Sequence, residues 1–260
     1  KLLIGADIEC GARVTGRVSG DSTCAYAWAY ADAVEAACGI TPPPRALLLR
    51  ALMLERERVA NHLGDLGALG NDAGFGVGLA QFMRLKEDLL RVNACVFGAR
   101  YPMDAVVAGG VARDIDAAGC ELLLAHGATL ARELDAMRAI YDQHAGMQDR
   151  FIGCGCVSTA LAQQLGLTGL AARASGLPHD LRCDLPVHPY DAVAVTRAVD
   201  IDGDVAARVA LRFEETAESL RVCRELLDAL PDGAIRVPLG NAAPHGFGIG
   251  LVEGWRGPVF

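Results

Sequence analysis

His62 and Asp65, three residues apart and followed by Asp72, are the residue types in this chain best suited to moving a proton. An imidazole titrates near neutral pH, and burial beside a carboxylate tunes it across the physiological range. The same spacing equally suits a histidine that satisfies its hydrogen bonds on a neighbouring carboxylate or carbonyl. Glu55 and Arg58, one turn earlier, read either as a plain internal ion pair or as part of the same chemistry. Lys86, Glu87, Arg91 and Arg100 bring further charge, which taken as residues alone reads as a solvated face.

Two other motifs carry less. "GCGC" (153–156) offers Cys154 and Cys156 at a spacing that can contribute to a metal site, but no second close Cys or His pair accompanies it. No role follows for those thiols. "GFGVGLAQ" (74–81) leads glycines into a helix, where free amides can cradle a phosphate. It lacks the Gly-Lys-Ser/Thr ending of a phosphate loop, and Asp72 would repel an anion.

The elements that must position these groups are mostly helical. Ser22 or Thr23 can cap a helix running to about Cys38, which Gly39 and Pro42-Pro43-Pro44 end before launching the next. That next helix, about 45–69, draws a buried stripe through Leu48, Leu52, Glu55, Val59, His62 and Leu66. Two ionisable side chains therefore lie in an apolar row and need partners. After the glycine-rich turn, helices are expected at 78–98 and 116–142, with "AGGVARDI" between them irregular or β. The second half reads as a short helix near 158–165, extended pieces at 170–175 and 192–199, a long helix at 203–230, and strands near 234–239 and 247–260. The fold class expected is mainly α with peripheral β, an α+β chain with a helical-bundle core, read as a single domain over 1–260.

Composition narrows the class. With 260 residues, 52% of them hydrophobic, the chain can bury a large core. The formal charge of -8, with basic residues scattered singly, argues against nucleic acid as a partner. Nine cysteines without framework spacing suit thiols in a reducing compartment. Arg45, Arg50 and Glu55 interrupt the best candidate for a membrane span, "RALLLRALMLE", so membrane association is expected through partners.

Four strings in order resemble a known family: "AYADAVEAACGITPPPRALLLRALMLERERVANHLGDLGALGNDAGF", "FGARYPMDAVVAGGVARDI", "ARASGLPHDLRCDLPVHPYDAV" and "DGDVAARVALRFEETAESLRVCRELLDALP". They are similar to the large subunit of nickel-iron hydrogenases, and especially to its relatives in energy-converting hydrogenases and the hydrogenase-like core subunit of respiratory complex I. The resemblance implies a fragment lacking the family's N- and C-terminal ends. In the hydrogenases an Arg-x-Cys-Gly-x-Cys motif supplies two thiolates to the metal centre, with a Cys-x-x-Cys near the C-terminus supplying the rest. Here "RVSGDS" puts Ser19 and Ser22 at the first pair of positions, and the chain stops before the second would occur. A neutral hydroxyl replaces a soft anionic thiolate poorly. No metal and no cofactor bound by this chain are therefore expected.

Loss of the metal is the pattern of the complex I branch, in which the old active-site cavity helps form the head of a quinone pocket. Asn61-His62 matches that branch's Asn-His, Asp72 falls at its pocket aspartate, and Lys86-Glu87 resembles its Arg-Glu step. Gly98-Ala99-Arg100 and Gly109-Gly110-Val111 match its Gly-Ala-Arg and Gly-Gly-Val. Ala108 stands where a proline is usual, Pro178-His179 differ from the residues usual before Asp-Leu-Arg, and the branch's headgroup histidine would precede Lys1.

The resemblance thus implies a core subunit of a membrane-associated NADH-quinone oxidoreductase, inactive alone, peripheral on the cytoplasmic face. Quinone is the implied substrate, and an iron-sulfur small subunit and membrane subunits are the implied partners. Asp72 and His62 become the candidate catalytic residues. Glu55, Arg58, Asp65, Lys86, Glu87 and Arg100 become pocket or proton-relay candidates. The alternatives are a divergent hydrogenase-like subunit of the formate hydrogenlyase type without metal ligands, and a non-catalytic scaffold for an iron-sulfur partner.

Overall fold

The computed structural model describes residues 2–240 and 246–260. In chain order the elements are α1 (Ile8–Thr15), α2 (Thr23–Cys38), α3 (Pro44–Asp72), α4 (Gly76–Phe97), β1 (Val106–Val107), β2 (Gly110–Val111) and α5 (Ala117–Gln143). They continue with α6 (Ala145–Phe151), α7 (Thr159–Leu165), α8 (Gly169–Arg173), α9 (Leu181–Asp184), α10 (Val205–Asp228), β3 (Val252–Gly254) and β4 (Gly257–Val259). The mainly α architecture with peripheral β is what the sequence predicts.

Helix α3 is the axis of the fold. Pro44 at its first turn is preset for helical φ, and the helix then runs 29 residues. From Leu48 to Leu63 every side chain is buried, so α3 is wrapped on all sides. It packs most extensively on α4 and α10, while α5 closes the bundle against both. One apolar cluster joins α2 and the first half of α3 to the C-terminal hairpin through Trp28, Leu49, Leu52 and Val252. A second fills the space between the later turns of α3 and α4, α5 and α10, where Phe82, Tyr141 and Phe213 meet edge to face.

Side-chain oxygens at Asp116, Ser158 and Asp204 accept amides at the starts of α5, α7 and α10, fixing ends close to those expected. Several expectations are corrected. Helix α3 continues three residues past 69, because Gly70 lets the Tyr141 hydroxyl reach Leu66 O (2.8 Å) and keeps the last turn packed. Residues 170–175 begin in a short helix, α8, instead of an extended piece; Thr168 leads into it and the ion pairs of Arg173 hold its end. The 192–199 stretch is not helical, but it finds no ladder partner and forms no strand. At 234–239 a single antiparallel bridge, Gly110 to Arg236, takes the place of a strand, and at 247–260 pairing is confined to the β3–β4 hairpin. Helices α1, α6 and α9 were not legible, being too short for periodicity to show.

Candidate functional site

Glu55, Arg58 and His62 stand at i, i+3 and i+7 on α3 and share one buried face. Opposite them α10 presents Glu215 and Ser219, α8 brings Arg173, and α9 brings Arg182 with Asp180 at its N-cap. Tyr190 and Glu253 of β3 complete the ring of partners. Glu55 accepts from Ser219 Oγ (2.6 Å), Tyr190 OH (2.7 Å), Arg182 Nη1 (3.0 Å) and Arg58 Nε (3.2 Å). Burial opposes its charge, but the two guanidinium groups and two hydroxyls prevail and hold its carboxyl at about 2.

Arg58 spends its remaining donors on the hairpin, at Glu253 O (2.6 Å) and Gly254 O (2.9 Å). Glu215 accepts from His62 Nε2 (2.9 Å) and Arg173 Nε (2.9 Å), and Arg173 Nη1 reaches on to Glu253 (3.0 Å). Asp180 grips Arg182 at 2.6 Å. The network thus sets four carboxyl groups, Glu55, Asp180, Glu215 and Glu253, against three guanidinium groups, Arg58, Arg173 and Arg182. Burial, seconded by Asp180, raises Glu253, which makes it the carboxyl that most readily takes up a proton. Burial also lowers His62 despite the pull of Glu215, whose charge Arg173 already meets. The neutral imidazole donates through Nε2 and leaves Nδ1 buried without a partner.

A second constellation lies where α2 starts. Ser19 Oγ and Ser22 Oγ both donate to Asp21 Oδ1, the latter at 3.4 Å, and Asp21 Oδ2 pairs with Arg256 at 3.0 Å. Asn61 on α3 ties this loop down by donating to Asp21 O (2.6 Å) and to Glu57 O (2.9 Å). Arg256 lies over the Trp255 ring, whose edge meets His62, so the two constellations touch through one indole. Two hydroxyls committed to one carboxylate make a hard, neutral donor set; it does not fit a nickel centre. Among the described residues no three His, Cys, Asp or Glu side chains converge to hold a metal ion.

Glu57 closes the α2 end of this region. Its carboxylate accepts the amides of Cys24 (2.7 Å) and Ala25 (3.3 Å), which otherwise have no acceptor in the first turn of α2. Burial outweighs those bonds and raises its carboxyl to about 7, above the 4.5 of an unconstrained glutamate. The folded state therefore binds this proton more tightly than the unfolded chain. Stability from the group is complete below pH 4.5 and is lost as pH rises towards 7, a change of roughly 3 kcal/mol. Urea unfolding between pH 5 and 8 is expected to show this decline in the native protein and a flatter profile in Glu57→Gln. Parallel profiles would refute it.

The candidates from the sequence are dispersed. Glu55, Arg58 and His62 meet in the network, but His62 pairs with Glu215 and not with Asp65. Asp65 turns to Arg212 of α10 at 2.8 Å, because its position one turn on faces a different row of that helix. Asp72 is exposed at the end of α3, about 15 Å along the axis from His62. Lys86 lies across α3 with Nζ over Gly64, and Glu87 pairs with Arg91 (2.9 Å) and Arg100 (2.5 Å) on the surface. Cys154 and Cys156 are exposed in the turn after α6. In "GFGVG", Gly78 is needed for close packing on Phe75 and Tyr141.

Glu215, Arg173, Asp180, Arg182, Tyr190 and Glu253 were missed. A signal existed for Glu215 and Ser219, which interrupt the buried row of α10 as Glu55 and His62 interrupt that of α3. The others sit in short elements without a period.

Fold and site together define a helical protein built on a buried ionic core, with the Ser19 and Ser22 hydroxyls committed to Asp21 at the start of α2. The family described as "Respiratory-chain NADH dehydrogenase, 49 Kd subunit" matches residues 72–245, and the chain belongs to it. It is 30% identical to formate hydrogenlyase subunit 5 of Escherichia coli (strain K12) over 94% of its own length and 43% of that protein. It is 32% identical to one of the NADH-quinone oxidoreductase subunits of Opitutus terrae over 79% of its length and 48% of that protein. The chain thus spans less than half the length of either relative. Among solved structures, the membrane-bound sulfane sulfur reductase, an archaeal respiratory membrane complex, contains a chain that superposes with a TM-score of 0.88 at 25% identity, covering 95% of this chain and 69% of that one. Among the described residues no helix is long and apolar enough to cross a membrane.

Proposed function

We propose that this chain is a metal-free core subunit of a membrane-associated, complex I-like oxidoreductase. In this reading it sits at the cytoplasmic face, beside an iron-sulfur subunit that delivers electrons, and helps enclose the headgroup of a quinone. The observation that carries it is the commitment of Ser19 and Ser22 to Asp21 in a chain of this family. The single domain proposed for 1–260 would be a wall of the site.

Asp72 is the residue proposed to change charge. It is exposed at the end of α3 and has no ion-pair partner among the described residues, so a neighbouring quinone would find an unneutralised carboxylate. Negative charge developing beside it would raise its proton affinity. His62, locked to Glu215 and shielded from solvent, is proposed to hold the α3 face in place, with Glu55 and Arg58 fixing the charge of the ionic core beside it. Asp65, Lys86, Glu87 and Arg100 would set the field at the outer end.

Asp72→Asn in the intact complex is expected to lower quinone-dependent turnover at least ten-fold and flatten its pH dependence. Unchanged turnover with an unchanged pH profile would defeat the coupling role. Capture of the full-length protein from its own membranes in mild detergent is expected to bring iron-sulfur and membrane subunits in fixed ratio. Recovery of the chain alone would overturn the proposal, and a redox-silent assembly with those partners would favour a scaffold. The hydrogenase-like alternative, of the formate hydrogenlyase type without metal ligands, is supported by the wider span of that similarity, 94% of the chain against 79%. It predicts a complex that ignores quinone analogues.

A further inference from the structure

A groove of about 500 Å3 opens between α3, α5 and α10, walled by Leu52, Leu123, Leu134, Leu220 and Leu227. That size lies within the range of small-molecule sites. Its lining includes one buried cation, Arg56 of α3, which is 2% exposed. The fully buried Arg50, Arg58 and Arg173 each pair with a carboxylate. Arg56 pairs with none among the described residues: its Nε donates to Asn93 Oδ1 (2.5 Å) and its Nη2 reaches Leu89 O only at 3.4 Å. Burial lowers the guanidinium to about 10, so it stays cationic at neutral pH.

An uncompensated buried charge is costly, and a planar guanidinium matches a carboxylate through two parallel N–H bonds. Among the described residues no carboxylate forms an ion pair with the guanidinium, and Asp135 is the acidic residue of the groove lining. His126 on α5 is kept neutral, at about 4, by burial and by the charge of Arg56, and its Nδ1 is itself buried without a partner. Asp135 and Arg224 stand exposed at the mouth, while Arg221 is held by Glu218 and Glu225. Gly127 lies mid-helix in α5 on the groove wall, where an added β-carbon would meet nothing within 4 Å. Glycine is a poor helix former, and here its effect is to leave the groove open.

We propose that this groove binds an amphiphilic monocarboxylate of the fatty-acid type, its head on Arg56 and its hydrocarbon body along the leucines. A phosphate dianion would exceed the single buried cation, and a neutral lipid would leave Arg56 unpaired.

The test is photo-crosslinking in native membranes with a diazirine analogue of dodecanoic acid. Labelling is expected within Ala117–Gln143 and Val205–Asp228, displaced by dodecanoate at concentrations at least ten-fold lower than by dodecanol. Arg56→Met is expected to lower the labelling at least ten-fold. So is Gly127→Leu, which fills the groove with a better helix former and decides the matter if Arg56→Met fails to assemble. Absence of labelling from these segments, equal displacement by dodecanol, or labelling unchanged in the assembled variants would overturn the proposal.

Discussion

Replacing Glu55 with alanine is expected to destabilise the protein by about 3–5 kcal/mol, because it strips two buried guanidinium groups of their shared counter-charge. Arg58 and Arg182 would remain inside the bundle with no water to solvate them, and the hydroxyls of Tyr190 and Ser219 would lose their acceptor. Glu55→Gln preserves shape but not charge, and is expected to cost nearly as much. Ser219→Ala, which removes one hydrogen bond from the same carboxylate, should cost about 1 kcal/mol. Urea unfolding at pH 7 measures all three. A loss below 1 kcal/mol in Glu55→Gln would show that the carboxylate is not the counter-charge of the two arginines.

The acid limb carries the same information with a definite sign. The folded-state value of Glu55, about 2, lies below the 4.5 of the unfolded chain, so its contribution is full above pH 4.5 and fades as pH falls to 2. The contribution is roughly 3 kcal/mol, and full burial spares it from solvent screening. Glu57 acts oppositely across pH 4.5 to 7, so stability is expected to peak between the two windows.

Gly169→Ala is expected to cost roughly 2–5 kcal/mol, from a strained backbone and an overfilled contact. Gly169 has φ +62°, and a β-carbon there would stand 1.9 Å from Arg256 O and 2.6 Å from Gly257 Cα. Both are backbone atoms of the C-terminal hairpin, so no side-chain rotation relieves the clash. The hairpin must move, and with it Glu253 must withdraw from Arg173, four residues beyond the mutated glycine. A changed Trp255 environment in fluorescence and faster proteolysis of the hairpin should accompany the loss. Gly20→Ala, where an added β-carbon meets nothing within 4 Å, is the control and should stay within about 0.5 kcal/mol.

The long helices could be read from the chain because their signals are local. Pro44, Asp116, Ser158 and Asp204 mark helix starts by conformation or side-chain capping, and apolar periodicity carries each helix onward. The buried row of α3 was legible too, including the need of Glu55 and His62 for partners.

Which partners those residues take was decided only by tertiary structure. Arg58 bonds to a carbonyl 196 residues away, and Arg173 finds Glu215 at a separation of 42. Asp65 satisfied every local criterion as the partner of His62, yet α10 offers Glu215 to the histidine and Arg212 to the aspartate. Short elements such as α8, α9 and the hairpin take their conformation from these contacts, so no pattern within them announces it. Spacing along a helix fixes which face a side chain occupies; only the packing of the chain determines what that face meets.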